Sequence, residues 1–388
     1  MSKVSIVHVI TGLGGGGAEN MLYRLLKFHQ AAGVSSSVLS LTDLGPVGRK
    51  IQELNIEVSC LGGTPGKLPG PKQIIRLFKS VKGIRPDVLQ GWMYHGNLAA
   101  TIAGTLRFQR VPVLWNIRQS LNTLRDERPL TRRVIQAGAL ASKLPCGIIY
   151  NSRAAAIQHE KIGYSKRRRV FIPNGFEPPT PQPPSMGKLP ELQNLRPTAL
   201  VVGHAARFHP KKGQHFLLSA IKMVRERGVD VSLVIAGRGM DEDNTIVTEM
   251  CDEQGLSGCT FLLGECSSMS SFYRSLDVFV SSSSWGEGFP NVIAEAMMEG
   301  IPCVGTDVGE TRDIIGDTGV VVHPASPDLL ADGICNLLLA PEATRKMLGA
   351  RAADRIKTRF SMASVGRRYL SIYQDLYDRK SQKHEPNA

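Results

Sequence analysis

The alternation of short apolar runs with amphipathic segments is the feature that most limits how this chain can fold. Five runs rich in β-branched residues predict strands in the first half: 4–10, 34–41, 56–61, 88–91 and 111–117. A helix-forming segment such as 71–82 lies between successive runs. Because parallel strands need a crossover of a dozen or more residues, usually a helix, this rhythm predicts an α/β protein built on parallel sheets.

A glycine-rich loop follows the first predicted strand. Residues 12–19 are GLGGGGAE, and a helix is predicted over 20–32. The pattern matches the dinucleotide-binding fingerprint, with Asp43 as its acidic residue, although the fingerprint alone is a weak signal for a nicotinamide or flavin site. The alternative is a resemblance to the Gly-Gly-x-Ala-Glu loop of family 4 glycosyltransferases, which implies a loop that lines the cleft opposite the donor phosphates. Either interpretation requires glycine at Gly16 and Gly17, because side chains would keep a ligand away from the backbone.

A second junction of strand, loop and helix lies at 281–300, with the sequence SSSSWGEGFPNVIAEAMMEG. An apolar strand over 276–280 precedes it, and a helix is predicted over 292–299. The free N–H groups of the loop and the positive end of the helix suit a diphosphate without a metal ion. Glu287 and Glu295 frame the junction, and an ionised carboxylate accepts hydrogen bonds from vicinal hydroxyls. A capped helix with one nearby carboxylate is the simpler interpretation of the spacing alone.

The stretch also resembles the Glu-x7-Glu signature of glycosyltransferase family 4, including Gly-Phe-Pro after the first Glu and the later Gly309-Glu310. Arg207 and Lys212 stand as in the family's Gly-Arg-x(4)-Lys-Gly element, with Ala206 where glycine is usual. The resemblance implies two facing Rossmann-like domains (the GT-B fold) and a retaining hexosyltransferase. The implied donor is a UDP- or GDP-sugar, and the implied acceptor is a lipid-linked or growing glycan of cell-surface polysaccharide biosynthesis.

The resemblance also assigns roles to individual residues. It implies a catalytic role for Glu287, Arg207 and Lys212, with the two cations holding the donor diphosphate so that neither metal nor cofactor is required. Glu287 is expected to orient the transferred sugar, and Glu295 to bind the ribose diol. The remaining donor-side residues that it implies are Gly288, Phe289, Pro290, Asn291, Gly16, Gly17 and Gly264.

Three residues near predicted strand ends are candidates for the acceptor side, because α/β sheets bind ligands there. His95, placed in a loop after the strand 88–91, is one candidate, and a structural histidine is an equal alternative. Several family members carry a histidine where this chain has Asn116 and Arg118, so no histidine role carries over. Arg118 is instead expected to hold a phosphate or another anionic group of the acceptor.

The sequence predicts five segments. They are an acceptor-side domain over 1–177 ending in the strand at 147–152, a Pro-rich linker over 178–197, a nucleotide-sugar domain over 198–359, a helix over 360–379 that returns to the first domain, and a tail over 380–388.

Charge and composition narrow the class of partner. Residues 1–190 hold 26 Lys/Arg and 9 Asp/Glu, a net charge of +17, whereas the remainder holds 21 and 25, a net charge of −4. A basic first half predicts an acidic partner, either an anionic membrane surface or a phosphate-bearing acceptor. The basic amphipathic helix over 71–82 suits lipid headgroups, or it packs on its own sheet with the basic face in water. Nucleic acid is not expected, because no binding motif accompanies the charge.

No apolar run reaches the roughly 18 residues of a membrane span, and the N-terminus lacks signal-peptide features. Seven scattered cysteines predict reduced thiols. A cytoplasmic enzyme, peripheral on the inner face of the cytoplasmic membrane, is therefore expected. The alternative from another class is a catalytically silent protein that binds a glycan or nucleotide on the same fold.

Overall fold

The computed structural model describes residues 4–64, 67, 69–105, 111–178, 189, 199–266 and 268–382. The chain divides into two compact units. Unit 1 comprises Met1–Gly175 and Met362–Ala388, and unit 2 comprises Phe176–Ser361. The predicted linker over 178–197 lies outside the described residues except at positions 178 and 189.

Unit 1 is a seven-stranded parallel sheet in the order β3-β2-β1-β4-β5-β6-β7. Its strands are β1 Ser5–Ile10, β2 Ser35–Ser40, β3 Glu57–Cys60, β4 Val88–Trp92, β5 Val113–Ile117, β6 Gly147–Tyr150 and β7 Arg169–Phe171. Its helices, numbered along the whole chain, are α1 Gly17–Ala31, α2 Gly45–Gln52, α3 Pro71–Ile84, α4 Met93–Thr105, α5 Pro129–Ala141, α6 Arg153–Lys161 and α14 Met362–Gln382.

Two apolar layers hold the helices of unit 1 against the two faces of its sheet. Helices α3 to α6 share one buried cluster with β1, β4 and β5, and α1, α2 and α14 share the other. Leu77 and Val81 of α3 are buried while its lysines are exposed. The helix therefore packs on its own sheet with a basic face in solvent.

Unit 2 is a six-stranded parallel sheet in the order β10-β9-β8-β11-β12-β13. Its strands are β8 Leu200–Ala205, β9 Val231–Ala236, β10 Thr260–Leu262, β11 Val278–Ser281, β12 Cys303–Thr306 and β13 Val320–Val322. Its helices are α7 Gln214–Glu226, α8 Thr245–Glu253, α9 Met269–Arg274, α10 Asn291–Met298, α11 Thr311–Ile315, α12 Pro327–Leu338 and α13 Glu342–Arg359. The prediction of an α/β protein with two parallel sheets is confirmed. Among the described residues, no helix is long and apolar enough to cross a membrane.

Three sequence-based expectations about unit 1 were wrong in detail. The strand at 147–152 is not the last of this unit, because β7 follows and pairs with it. His95 lies within the first turn of α4 rather than in a loop, because the chain turns directly from β4 into the helix at Met93, where φ is 60°. The closing helix continues to Gln382, beyond the expected start of the tail, and residues 383–388 lie outside the described ranges.

Unit 1 buries three histidines. Trp92 Nε1 donates to Nδ1 of His8 at 3.1 Å, and the ring of His29 lies 5.7 Å from that of His8. His159 lies beside the Tyr94 hydroxyl at 3.0 Å and the Ala155 carbonyl at 2.7 Å. Burial lowers the pKa of His8 well below its ordinary value, that of His29 to about 3 and that of His159 to about 4. All three are therefore neutral in the folded protein at physiological pH.

Acidification between about pH 7 and pH 5 is expected to destabilise unit 1. The unfolded chain protonates these histidines as the pH falls through about 6.5, whereas the folded chain, with its lowered pKa values, does not. Each histidine then removes up to about 1.4 kcal/mol of unfolding free energy per pH unit below that value. Urea unfolding followed by the fluorescence of the buried Trp92 and Trp115 measures the slope. His159→Gln should reduce the slope by about one proton, and the exposed His323→Gln should not. Equal slopes in both variants would contradict the assignment.

Candidate active site

The order of strands in unit 2 brings two distant loops together. The sheet reverses its order of connection between β8 and β11, which pair directly through Val202–Val278 and Gly203–Phe279. The carboxyl ends of parallel strands at such a reversal flank the crevice where α/β sheets bind ligands. The loop after β8 carries Arg207 and Lys212, and the loop after β11 carries Glu287. The predicted catalytic residues of this unit thus come from neighbouring loops.

Lys212 and Glu287 form an ion pair across these loops, although they are 75 positions apart. The Lys212 Nζ to Glu287 Oε1 distance is 2.5 Å, and Ser283 Oγ donates to the same oxygen at 2.8 Å. Burial alone would raise the pKa of Glu287, but Lys212, the Ser283 hydroxyl and Lys211 together hold it below its ordinary value. Glu287 is therefore ionised at neutral pH. Its second oxygen, Oε2, has no hydrogen-bond partner among the described residues.

Backbone contacts fix the two loops against each other. Ser282 Oγ donates to the Lys212 carbonyl at 2.9 Å, and the Ser284 amide donates to the Lys211 carbonyl at 2.8 Å. Gly213 has φ of 65°, and a Cβ there would lie 2.1 Å from the Ser282 carbonyl oxygen. Only glycine fits this position, because both the conformation and the space exclude a side chain.

The loop after β12 closes on the same segment. Gly309 has φ of 66°, and a Cβ there would meet the Gly288 carbonyl oxygen at 2.4 Å. The Glu310 amide donates to that carbonyl at 3.0 Å. Gly288, Phe289 and Pro290 are buried as they lead into α10. The loop before the helix is therefore held in place by a loop from the next strand.

Arg207 differs from Lys212 in its surroundings. It is exposed, and its guanidinium makes no hydrogen bond or ion pair with a described residue. Its carbonyl accepts from Gln214 Nε2 at 3.0 Å, which fixes the backbone while leaving the side chain to solvent. Arg207 is thus a cation at the carboxyl edge with all five N–H donors available.

The predicted donor-side residue Gly264 follows β10 at the same edge of the sheet. Its carbonyl accepts a hydrogen bond from the Gly237 amide, which follows β9, at 2.6 Å.

Glu295 lies in the second turn of α10 and is half-buried. Tyr273 of α9 donates from its hydroxyl to Glu295 Oε2 at 3.2 Å. Asn291 begins the helix after Pro290, so the first-turn N–H groups of α10 follow the Glu287 loop directly. The helix therefore presents positive partial charge beside that loop.

Three of the predicted residues of unit 1, Gly16, Gly17 and His95, follow the strands β1 and β4, between which the strand order reverses. Gly16 precedes α1 and Gly17 begins it, both are exposed, and Asn20 Nδ2 donates to the Gly16 carbonyl at 3.1 Å. His95 is half-buried at the start of α4, and burial lowers its pKa. Met93, before it, has the left-handed conformation that a non-glycine residue rarely adopts. Such a conformation often marks a functional site.

Asn116 and Arg118 are joined to the closing helix rather than standing alone. Asn116 Nδ2 and Arg118 Nη1 both donate to the Tyr369 hydroxyl at 3.0 Å, and Arg118 Nη2 donates to Asn174 Oδ1. The guanidinium lies 5.7 Å from the centre of the Trp92 ring. Burial lowers its pKa, and no carboxylate of the described residues pairs with it. Both side chains therefore link β5 to α14, and Arg118 keeps an unneutralised charge.

Two partners of the predicted residues were missed from the sequence. Ser283 is one of four consecutive serines, and only the fold shows which of them reaches Glu287. Tyr273 lies 22 positions from Glu295, a spacing that carries no periodic signal. Within the described ranges, no group of three or more His, Cys, Asp or Glu side chains could hold a metal ion.

Comparisons with known proteins identify both halves of the chain. The family model described as Glycosyltransferase Family 4 matches residues 15–178, and the model described as Glycosyl transferases group 1 matches residues 197–340. EpsF of Bacillus subtilis (strain 168) is 28% identical over 323 residues, which is 79% of this chain and 80% of that protein. The lipopolysaccharide core biosynthesis mannosyltransferase LpsB of Rhizobium meliloti (strain 1021) is 25% identical over 362 residues, 90% of this chain and 95% of that one.

Solved structures share the fold. The crystal structure of Anabaena HepE in complex with UDP matches with a TM-score of 0.79 and 20% identity, over 96% of this chain and 100% of that one. This likeness shows the two-sheet GT-B architecture, as the resemblance implied. The family models span both units of the chain and fall on the loops described above. The chain belongs to the family 4 glycosyltransferases, enzymes of the hexosyltransferase type.

Proposed function

We propose that this protein is a retaining hexosyltransferase that uses a UDP- or GDP-sugar and needs no metal ion. The single observation that carries the proposal is the Lys212–Glu287 pair at the carboxyl edge of the unit 2 sheet, in the same loop region as Arg207, whose guanidinium has no ion-pair partner among the described residues. A lysine ammonium has three donors, and Glu287 occupies one of them here. The others, with the Arg207 guanidinium, suit the four or more oxygens of a diphosphate.

The proposed roles of Glu287 and Glu295 follow from the ionisation of the first carboxylate and the hydrogen bond that the second accepts. Glu287 is held ionised, and its Oε2 has no hydrogen-bond partner among the described residues, so that oxygen is suited to accept hydrogen bonds from hydroxyls of the transferred sugar. Glu295 already accepts from Tyr273, which orients it for the ribose diol. The amides of Gly288 and Phe289 and the first turn of α10 are proposed to supply N–H groups toward the phosphates, whereas Pro290 has no N–H to donate.

The proposed chemistry is a front-face displacement. The acceptor hydroxyl oxygen forms a bond to the anomeric carbon as the bond from that carbon to the diphosphate oxygen breaks. The departing diphosphate oxygen takes the hydroxyl proton, so no protein base is needed. Arg207, Lys212 and the amides before α10 stabilise the negative charge that develops on the leaving group, which is where preorganised donors contribute most to rate.

The acceptor is proposed to be a lipid-linked or growing glycan of a cell-surface polysaccharide, met at the inner face of the cytoplasmic membrane. Support comes from the names of relatives, since LpsB acts in lipopolysaccharide core biosynthesis and CapM of Staphylococcus aureus in capsular polysaccharide biosynthesis. HepE was solved with UDP-glucose, which favours a nucleotide-sugar donor. On the acceptor side, the half-buried cation of Arg118 suits an anionic group, and His95 lies at the neighbouring strand end.

A nucleoside diphosphate is expected to raise the melting temperature without added metal. A ligand that binds only the folded state stabilises it by mass action, about 2.7 kcal/mol at a concentration 100 times Kd. A thermal-shift series with UDP, GDP, ADP and UMP, with and without Mg²⁺, measures the effect. Glu295→Ala should remove most of the shift, whereas Glu342→Ala, an exposed acid of α13, should preserve it. A shift that requires Mg²⁺, or one that survives Glu295→Ala, would contradict the proposed site.

Replacement of Arg207 by Ala is expected to lower kcat by about 10²- to 10³-fold, because one preorganised donor to the developing charge is lost. Steady-state transfer, or donor hydrolysis in the absence of acceptor, measures this rate. Arg227→Ala is the matched control, since Arg227 is an exposed arginine paired with Asp332 on the surface of unit 2. An unchanged kcat in a folded Arg207→Ala protein would overturn the assignment. Diphosphate binding without any transfer or hydrolysis would favour the catalytically silent alternative.

A further inference from the structure

Two leucines of unit 1 project into solvent, Leu140 from the last turn of α5 and Leu144 from the turn that joins α5 to β6. The exposed fraction is 84% for Leu140 and 61% for Leu144, and Leu140 is the most exposed large apolar side chain among the described residues. Lys143, between them, is exposed as well. Leucines this exposed bury no core surface, so their packing within the chain does not explain them.

Basic residues lie beside these leucines. The Ser165 amide donates to Ser142 Oγ at 2.9 Å, which holds the turn before β7 against the end of α5. The Tyr164 hydroxyl donates to the Ile135 carbonyl at 3.1 Å and reinforces this contact. The turn then presents three consecutive exposed cations, Lys166, Arg167 and Arg168. We call segments 140–146 and 161–168 together the leucine–basic patch.

The patch contains no acidic residue. Its exposed charges are all positive: Lys143, Lys161, Lys166, Arg167 and Arg168. The nearest acid along the chain, Glu160, is paired with Arg169 outside the patch. Exposed cations around protruding apolar side chains fit a surface that offers both negative charge and an apolar interior.

We propose that the leucine–basic patch is the surface by which this protein binds an anionic lipid bilayer, with Leu140 and Leu144 entering the headgroup region. A second copy of the chain is a poor occupant, since a twofold contact would place the patch against itself and bring like charges together. The inference rests on the proposed function only in its choice of a bilayer, and binding itself requires no catalysis.

The patch and the candidate acceptor residues lie at opposite ends of the parallel strands of the unit 1 sheet. It directly precedes the first residues of β6 and β7, whereas Asn116 and Arg118 stand at the carboxyl end of β5. Four residues of a strand span about 13 Å. A bilayer at the patch is therefore separated from the ligand edge of this unit by at least the length of a strand, which favours an extended glycan as acceptor over a sugar next to the lipid.

Flotation with phosphatidylcholine vesicles, with and without phosphatidylserine, tests the proposal. The wild-type protein should float only with the anionic lipid and should be released by salt. Neutralising three cations in Lys166→Gln/Arg167→Gln/Arg168→Gln should weaken binding roughly 100-fold, about fivefold for each. The variant Leu140→Ser/Leu144→Ser should also bind the vesicles more weakly than the wild type. Leu339→Ser, at a leucine of unit 2 that is 69% exposed, should bind them as the wild type does. Lys72→Gln/Lys79→Gln/Lys82→Gln on α3 is the matched charge control.

Two exposed cysteines give a second readout. Cys146 lies within the patch. Cys60 is the last residue of β3, the outermost strand on the side of the sheet away from β6 and β7. With Cys266 replaced by Ser, an environment-sensitive dye on Cys146 in a Cys60→Ser protein should shift to shorter wavelength on anionic vesicles. The same dye on Cys60 in a Cys146→Ser protein should not.

Absence of vesicle binding by the wild-type protein would overturn the proposal. Loss of binding in the α3 variant alone, or a dye shift at Cys60 rather than Cys146, would also overturn it. Binding of an acidic protein without binding of vesicles would assign the patch to a protein partner instead. Glu287→Gln should float like the wild type, so failure of the catalytic proposal and failure of this one are distinguishable.

Discussion

The candidate site in unit 2 depends on the pairing of β8 with β11. These strands are far apart in the chain, and their adjacency is what brings the loop with Lys212 next to the loop with Glu287. Once the strands pair, the Ser282–Lys212 and Ser284–Lys211 contacts fix the loops, and Gly213 allows the backbones to approach. A cation and an anion held at 2.5 Å by backbone contacts lose little additional entropy when a ligand arrives, which is the condition for a preorganised site.

Unit 1 also has a reversal of strand order in its sheet, but the polar residues that follow its strands are of other types. Its sheet also reverses between two strands, and exposed glycines and His95 follow those strands. Asn116, near the end of β5, and Arg118, just after it, both donate hydrogen bonds to Tyr369 of α14. Arg118 therefore has a structural contact and an unneutralised charge together, and its removal would affect both the packing of α14 and any anion bound there. A substitution at Arg118 is thus harder to interpret than one at Arg207, whose exposed guanidinium makes no hydrogen bond or ion pair with a described residue.

The two edges of the unit 1 sheet have separate characters. The carboxyl ends of its strands carry glycines, amides and the half-buried Arg118, whereas the amino ends of β6 and β7 are preceded by exposed leucines and by lysine or arginine side chains. The positive charges of residues 1–190, which have a net charge of +17, are therefore not spread evenly over the surface. Part of it lies on α3, which is anchored to the core by Leu77 and Val81, and part lies in the leucine–basic patch.

The α/β class, the family and the residue types of the donor site can all be predicted from the amino-acid sequence. Strand and helix periodicity is local, and the Glu-x7-Glu and Arg-x4-Lys spacings each span fewer than ten residues, so both are visible along the chain. The tertiary structure alone decided what depends on distant pairing. It joined Lys212 to Glu287, selected Ser283 from four serines, placed Tyr273 on Glu295 and tied Arg118 to Tyr369, 251 positions away. It also decided that Leu140 and Leu144 face solvent, because an apolar residue near a helix end has the same local pattern whether a neighbour covers it or not.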